Sequence, residues 1–299
     1  MPLRLTATSQ LVSVAVAIVG LAVAAPLPAA PALLQDSSTV HLVWPNFDPD
    51  GPSKTLLTRR DGKTALAIVL GAVAVATLDG SVAQMMQSPG VQTSRPLRRT
   101  AEMFRAMGEP GALALSVGMY ASGRLTGIAG LARTGLEATE AIILAGAATE
   151  LLKLSLGRAR PNAPPWVDDG ELERPDADDF RPGKRHNAWA SLPSGHTTAA
   201  FAAASAITAE LHESKPRLAR VAGPILYGSA ALVGISRMYS NDHWASDVLL
   251  GAAVGTFFGR KVVRYHHTRS GNWLEHFLIP SVVAPVPGGL AVGWSVMTK

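Results

Sequence analysis

Three fixed cations, two histidines and one carboxylate fall in three short clusters of this chain: Lys153-x6-Arg160-Pro161, Pro193-Ser194-Gly195-His196 and Ser236-Arg237-x5-His243-x3-Asp247. Such an inventory suits a tetrahedral oxyanion. Cations hold its oxygens, a glycine-opened helix start offers free N–H groups, and a histidine pair can act as nucleophile and acid. The chemistry implied is phosphoryl transfer, in which charge spreads over three oxygens and catalysis is mostly positioning and electrostatics.

Each cluster also has a plainer reading. Lys153 and Arg160 are seven residues apart, nearly two helical turns, so the spacing predicts a shared face with Gly157 between them and Pro161 ending the helix. Alternatively, Lys153 pairs with Glu150 while Arg158 and Arg160 are solvated helix ends. Ser194 is placed to cap a helix that starts at Gly195, with His196 on its first turn; a capped helix with an incidental histidine is the alternative. Arg237 ends an apolar run, an expensive place for a charge that lacks an anionic partner. His243 and Asp247 stack at i,i+4 if helical, or Asp247 caps a helix starting at Val248. A carboxylate on one imidazole nitrogen would free the other as base or nucleophile; a satisfied His–Asp pair in a core is the plain alternative.

Helices must carry these clusters. Apolar segments lie near residues 64–78, 111–132, 136–156, 196–211, 219–237 and 246–262, without the alternation of strands. The expected fold is all-α, a bundle of about six helices. Val282–Val286 and Leu290–Val296 around Pro287-Gly288-Gly289 suggest a short C-terminal β-hairpin. Residues 162–190 form a loop by composition, rich in proline and acids. Two readings stay open for it, an overhang that tunes access and a disordered linker.

Only 16% of residues are charged, against roughly 25% in soluble domains, and Ala, Gly, Leu and Val dominate the 47% that are hydrophobic. There is no cysteine, which excludes thiol chemistry and Cys-based metal sites. The net charge of +5 includes no basic run of the kind nucleic acid would require; residues 164–190 carry −3 and the remainder +8. Arg4, the apolar run Leu11–Ala25 and Ala30-Pro31-Ala32 mark residues 1–32 as an export signal; a retained anchor is the alternative. The expected layout is then an arm at 33–62, a catalytic helical domain at 63–267 and a tail at 268–299. The longest charge-free helical run after the signal, Val221–Ser236, is short for a membrane span. A site at helix ends would itself shorten such runs, so an exported protein is expected, peripheral or membrane-associated, with an integral one still open.

Taken together, the clusters resemble the signature of the type 2 phosphatidic acid phosphatase (PAP2) and vanadium haloperoxidase superfamily, over roughly Ala138 to Gly259 and with no departure at a motif position. The resemblance implies a PAP2-type helical bundle and a role for each residue. His243 would form a phosphohistidine, Asp247 would support its imidazole, and His196 would protonate the leaving group and then activate water. Lys153, Arg160, Arg237, Ser194 and the Gly195 N–H would bind phosphate. No metal or other cofactor is expected. The motif flanks Lys153–Arg158 and Asp247–Ala252 resemble the lipid-phosphatase branch, implying a phosphatidic acid or polyprenyl diphosphate type of substrate and a membrane surface as partner. Three alternatives stand beside this: a vanadium-dependent haloperoxidase with vanadate on His243, a broad-specificity periplasmic acid phosphatase, and a non-catalytic phospholipid-binding scaffold.

Overall fold

Small residues set how closely these helices approach. The computed structural model describes residues 59–168, 171–183, 186–268, 282–286 and 289–293. The expected signal 1–32 and residues 33–58 of the arm lie outside them. Among the described residues there are nine α-helices: α1 (Arg59–Ala76), α2 (Asp79–Met86), α3 (Pro89–Gln92), α4 (Arg95–Ala106), α5 (Glu109–Thr126), α6 (Ala129–Leu156), α7 (Gly195–Ser214), α8 (Pro216–Tyr239) and α9 (Ala245–Thr268). The fold is all-α, as expected, but the helix count is higher. The expected segment 111–132 crosses a real break, because Gly127 takes a left-handed φ of 73° that caps α5. α2, α3 and α4 are short or strongly polar and leave no long apolar run in the sequence.

At the centre, α6, α7 and α9 share a core of Ala138, Ala141, Ala145 and Leu152 with Ala202, Ala206, Leu250 and Val254. Gly251, Gly255 and Gly259 recur every fourth residue on α9 and meet α7 almost backbone to backbone. A Cβ at Gly251 would stand 2.7 Å from Ser194 O, and one at Gly255 would run into Thr198 O and come within 2.8 Å of Ala202 N. α8 covers the other side of α7 through Ala200, Ala204, Ala230 and Val233.

Two antiparallel hairpins accompany the bundle. β1 (Trp166–Asp168) pairs with β2 (Glu171–Glu173) inside the acidic segment. β3 (Val282–Val286) pairs with β4 (Gly289–Gly293), with Val282 opposite Gly293, so the tail forms the hairpin its sequence suggested. α8 is the one helix among the described residues long and apolar enough to cross a membrane, and α1 with α2, bent by 59°, passes as a pair.

Gly255→Ala tests the packing. Alanine gains about 1 kcal/mol of helix propensity, but overpacking against unyielding backbone costs up to about 3 kcal/mol. The net loss, about 2 kcal/mol, should lower the Tm in a circular-dichroism melt by about 5 °C.

Candidate active site

Consecutive helices alternate in direction, so the C-terminal ends of α6 and α8 meet the N-terminal ends of α7 and α9. The Ser194 N–H donates to Asp247 O at 3.1 Å, joining the starts of α7 and α9 directly. All three sequence clusters gather at this end.

α6 stops at Leu156 rather than at Pro161. Gly157, with φ 57°, caps it, and the chain then runs out through Arg158, Ala159 and Arg160. Lys153 and Arg160 therefore do not share a helix face. Gly157 leaves no room for a ligand either, because a Cβ there would strike the Arg181 backbone. Lys153 Nζ does pair with Glu150 Oε1 at 2.6 Å, the local alternative, yet it also lies 3.3 Å from where a Gly195 Cβ would sit. It thus faces the first turn of α7, whose leading N–H groups have no intrahelical acceptor.

Arg160 and Arg237 converge on one carboxylate. Asp242 Oδ2 is 2.8 Å from Arg237 Nη2, and its Oδ1 is 3.8 Å from Arg160 Nη1 and accepts from Asn162 Nδ2 at 3.0 Å. Each guanidinium keeps an Nε buried with no hydrogen-bond partner. Buried donors without acceptors are rare and costly.

Ser194 stands at the N-cap of α7, but its hydroxyl makes no backbone cap and instead accepts from Thr197 Oγ1 at 2.9 Å. His196 is half-buried on the first turn of α7. Its ring packs so closely on Gly108 that a Cβ there would come within 2.6 Å of Cδ2, and Glu109 Oε2 lies 3.9 Å from Nδ1. Burial, aided by Arg237 and His243, lowers its pKa from 6.5 to about 4.

His243 is buried just ahead of α9, which begins at Ala245 rather than Val248. Its Nδ1 lies 2.7 Å from Ser191 O and 3.7 Å from Asp247 Oδ2. A carbonyl can only accept, so Nδ1 carries the proton and Nε2 keeps its lone pair. Asp247 therefore acts at one remove: its Oδ2 accepts from Ser191 Oγ at 2.5 Å and from Trp244 N at 2.9 Å, fixing the segments on both sides of the imidazole. Burial pushes the His243 pKa down against the opposing pull of Asp247.

Below the histidine lies a charge cluster that the motifs do not name. Arg158 is fully buried and joins Asp247 Oδ1 at 2.5 Å, Asp79 Oδ2 at 2.7 Å and Ala177 O. Asp79 in turn accepts from Ser246 N and Oγ. Burial alone would raise the pKa of Asp247; Arg158, with His243 and Ser191, outweighs it and holds the value at about 2. The solvated alternative for Arg158 is thus excluded. One sequence signal could have found this partner: Asp79 is the only charge between Lys63 and Arg95.

The acidic segment packs against the chain that leaves α6. Arg160 N donates to Ala188 O and Arg181 N to Gly157 O, while Arg181 stacks over Trp166 and Trp189. Glu137, Glu210 and His267 bring one ligand atom each within 4.8 Å, the arrangement among the described residues that could hold a metal ion. They lie at the other end of α6, α7 and α9 and take no part in this centre.

Fold and site define a helical-bundle protein with three cations and two histidines gathered at one end. Residues 134–270 match the PAP2 superfamily, and this part of the chain is a PAP2 superfamily domain. A lipid A 1-phosphatase from Rhizobium johnstonii is 34% identical over 119 residues, covering 39% of this chain and 41% of the relative. Another, from Porphyromonas gingivalis, is 51% identical over 69 residues, covering 23% of this chain and 15% of the relative. The chain thus spans less than half the length of the curated relatives it matches. A solved transmembrane PAP2 type phosphatidylglycerolphosphate phosphatase from Bacillus subtilis aligns over 67% of this chain and 98% of its own, at 19% identity and a TM-score of 0.31.

Two measurements test this geometry. Arg158→Met leaves Asp79 and Asp247 buried without their cation, which should cost about 3–5 kcal/mol and lower the Tm by on the order of 10 °C; adding Asp79→Asn should recover part of the loss. His196 should titrate near pH 4 in NMR spectra of the free protein. A bound phosphate dianion favours the imidazolium, so added phosphate should move that titration upward by about one unit or more. The depressed value also has a stability cost: the His196 contribution is complete above pH 6.5 and is lost as pH falls towards 4, because the unfolded imidazole takes up a proton that the folded one refuses.

Proposed function

We propose that the protein is a metal-independent phosphatase acting on a phosphorylated lipid through a phosphohistidine on His243. The observation that carries this reading is the pair of arginines sharing Asp242, each with a buried Nε still lacking an acceptor, beside Lys153 and the open start of α7. A phosphate supplies acceptors to all of these donors at once.

In the proposed reaction the His243 Nε2 lone pair attacks phosphorus while the bond to the leaving oxygen breaks. Lys153, Arg160, Arg237 and the α7 N–H groups hold the three equatorial oxygens. The phosphate's charge brings a proton onto His196, which passes it to the leaving oxygen. His196, now neutral, takes a proton from water as that water attacks the phosphohistidine. Phosphate departs and His243 is restored. Asp247 contributes as a positioning residue through Ser191 and Trp244, and through its field on the imidazolium-like nitrogen.

Lipid A, named for the curated relatives, is the first substrate to test, with phosphatidic acid and a polyprenyl diphosphate beside it. Exposed apolar side chains on α8, Leu218, Val221 and Ile225 among them, support association with a membrane, as does the length of that helix. Export to the extracytoplasmic, periplasmic side of the cell envelope remains part of the proposal.

The deciding assay measures phosphate release from these lipids and from a soluble aryl phosphate, with EDTA present. Release should resist EDTA, yield to vanadate and fall at least about 1,000-fold in His243→Ala. Acid-quenched protein should carry a phosphoryl group on that histidine. Release that survives His243→Ala would sink the mechanism, and halide oxidation with vanadate and peroxide but without phosphate release would replace it with the haloperoxidase.

A further inference from the structure

α4 carries an amphipathic pattern that the bundle only partly uses. At 100° per residue, Arg95, Arg98, Arg99 and Arg105 fall on one half of its circumference, and Leu97, Met103 and Phe104 on the other, with Met107 continuing that apolar edge just past the helix. Ala101 is buried, and Phe104 packs on the Ala200–Ala204–Ala230–Val233 cluster. The remaining apolar edge stays open: Leu97 is 48% exposed, Met103 54% and Met107 45%. A single acid, Glu102, stands among the four arginines.

The position of α4 matters as much as its pattern. Just ahead of it, Gln87 and Gln92 donate to Tyr239 O at the catalytic end of α8. The charge of Arg105 is felt by Arg237. Past its end, Met107 adjoins Gly108, which packs on the His196 ring. The open apolar edge therefore leads from Leu97 to the rim of the phosphate site.

We propose that α4 is an interfacial helix that seats the catalytic end on an anionic lipid surface. Leu97, Met103 and Met107 enter the acyl boundary, and Arg95, Arg98 and Arg99 lie against the headgroups. Charge complementarity selects the occupant, since basic side chains near an anionic leaflet attract it while a neutral one gives no such gain. Seated this way, the helix presents lipid phosphates at the height of Arg237 and His196. This deepens the lipid-phosphatase reading and rests on it for its purpose.

The chain has no cysteine, so Met103→Cys provides a single labelling position. In the full-length protein, a polarity-sensitive fluorophore there should shift to the blue with vesicles containing phosphatidylglycerol and not with phosphatidylcholine alone. Adding Arg95→Gln, Arg98→Gln and Arg99→Gln should abolish the shift. In the unlabelled chain the same triple change should raise the apparent KM for a lipid phosphate in anionic vesicles roughly tenfold and leave soluble aryl phosphate hydrolysis unchanged. A label that reports water in both kinds of vesicle, or a shift that survives the triple change, overturns the docking. So does an equal loss on both substrates, which makes α4 a structural element or the seat of a protein partner. If the unmodified chain releases no phosphate at all, the phosphatase reading falls, and the label alone decides whether α4 meets the lipid.

Discussion

A guanidinium with no access to water anchors this end of the molecule. Arg158 lies between Asp79 on α2 and Asp247 on α9, and also takes the Ala177 carbonyl of the acidic segment. Taking three charges out of water is expensive, and the arrangement persists because each polar atom finds a partner. Ser246 links the two sides by donating to Asp79 and accepting from Arg158. Four separate stretches of chain are thereby held in one register. The imidazole of His243 depends on that register, since Asp247 fixes both Ser191 and Trp244 around it.

The glycine stripe on α9 does for the backbone what Arg158 does for the side chains. With Gly251 against Ser194 and Gly255 against Thr198, the N-terminal ends of α7 and α9 meet without intervening side chains. Close approach lets Ser194 N bond to Asp247 O, which ties the start of α7 to the histidine segment. Larger residues on that face would separate them. A site that must place donors around a small tetrahedral group has little tolerance for such a gap.

Much of this was legible in the sequence, and what was not has physical reasons. Helices α1, α6, α7, α8 and α9 follow from apolar runs, and the three clusters meet because such runs alternate in direction. The register of Lys153 and Arg160 is ambiguous in the sequence because Gly157 can continue a helix or end it with a left-handed turn. Only the packing of the Arg181 backbone against Gly157 decides between them. The role of Arg158 was hidden for a similar reason. A cation at a helix end is usually solvated, and its partner, Asp79, lies far away in sequence on a helix too short to announce itself. Ser191 is invisible in the sequence because it meets His243 through its carbonyl, a group every residue has, and its hydroxyl reaches a carboxylate 56 residues away. α4 was lost among arginines, its apolar edge too sparse for an apolar-run criterion.

Asp242 links the spacing of the cations to substrate charge in the proposed mechanism. It sits where two arginines would otherwise repel each other, one residue before His243, and holds them with a single negative charge. An incoming phosphate brings more charge and more acceptors than a carboxylate, and both buried Nε groups still await acceptors. On the proposed mechanism, exchange of one anion for the other favours the group that can engage every donor together. Three equatorial oxygens in a trigonal arrangement do this better than a planar carboxylate. On the proposed mechanism Asp242 keeps the cations spaced before binding and yields most fully when phosphorus is five-coordinate. His196 follows the same logic, because it is neutral until that negative charge arrives. Cation spacing and proton supply would then both respond to the substrate's own charge, so that the acid is armed only when there is a leaving group to protonate.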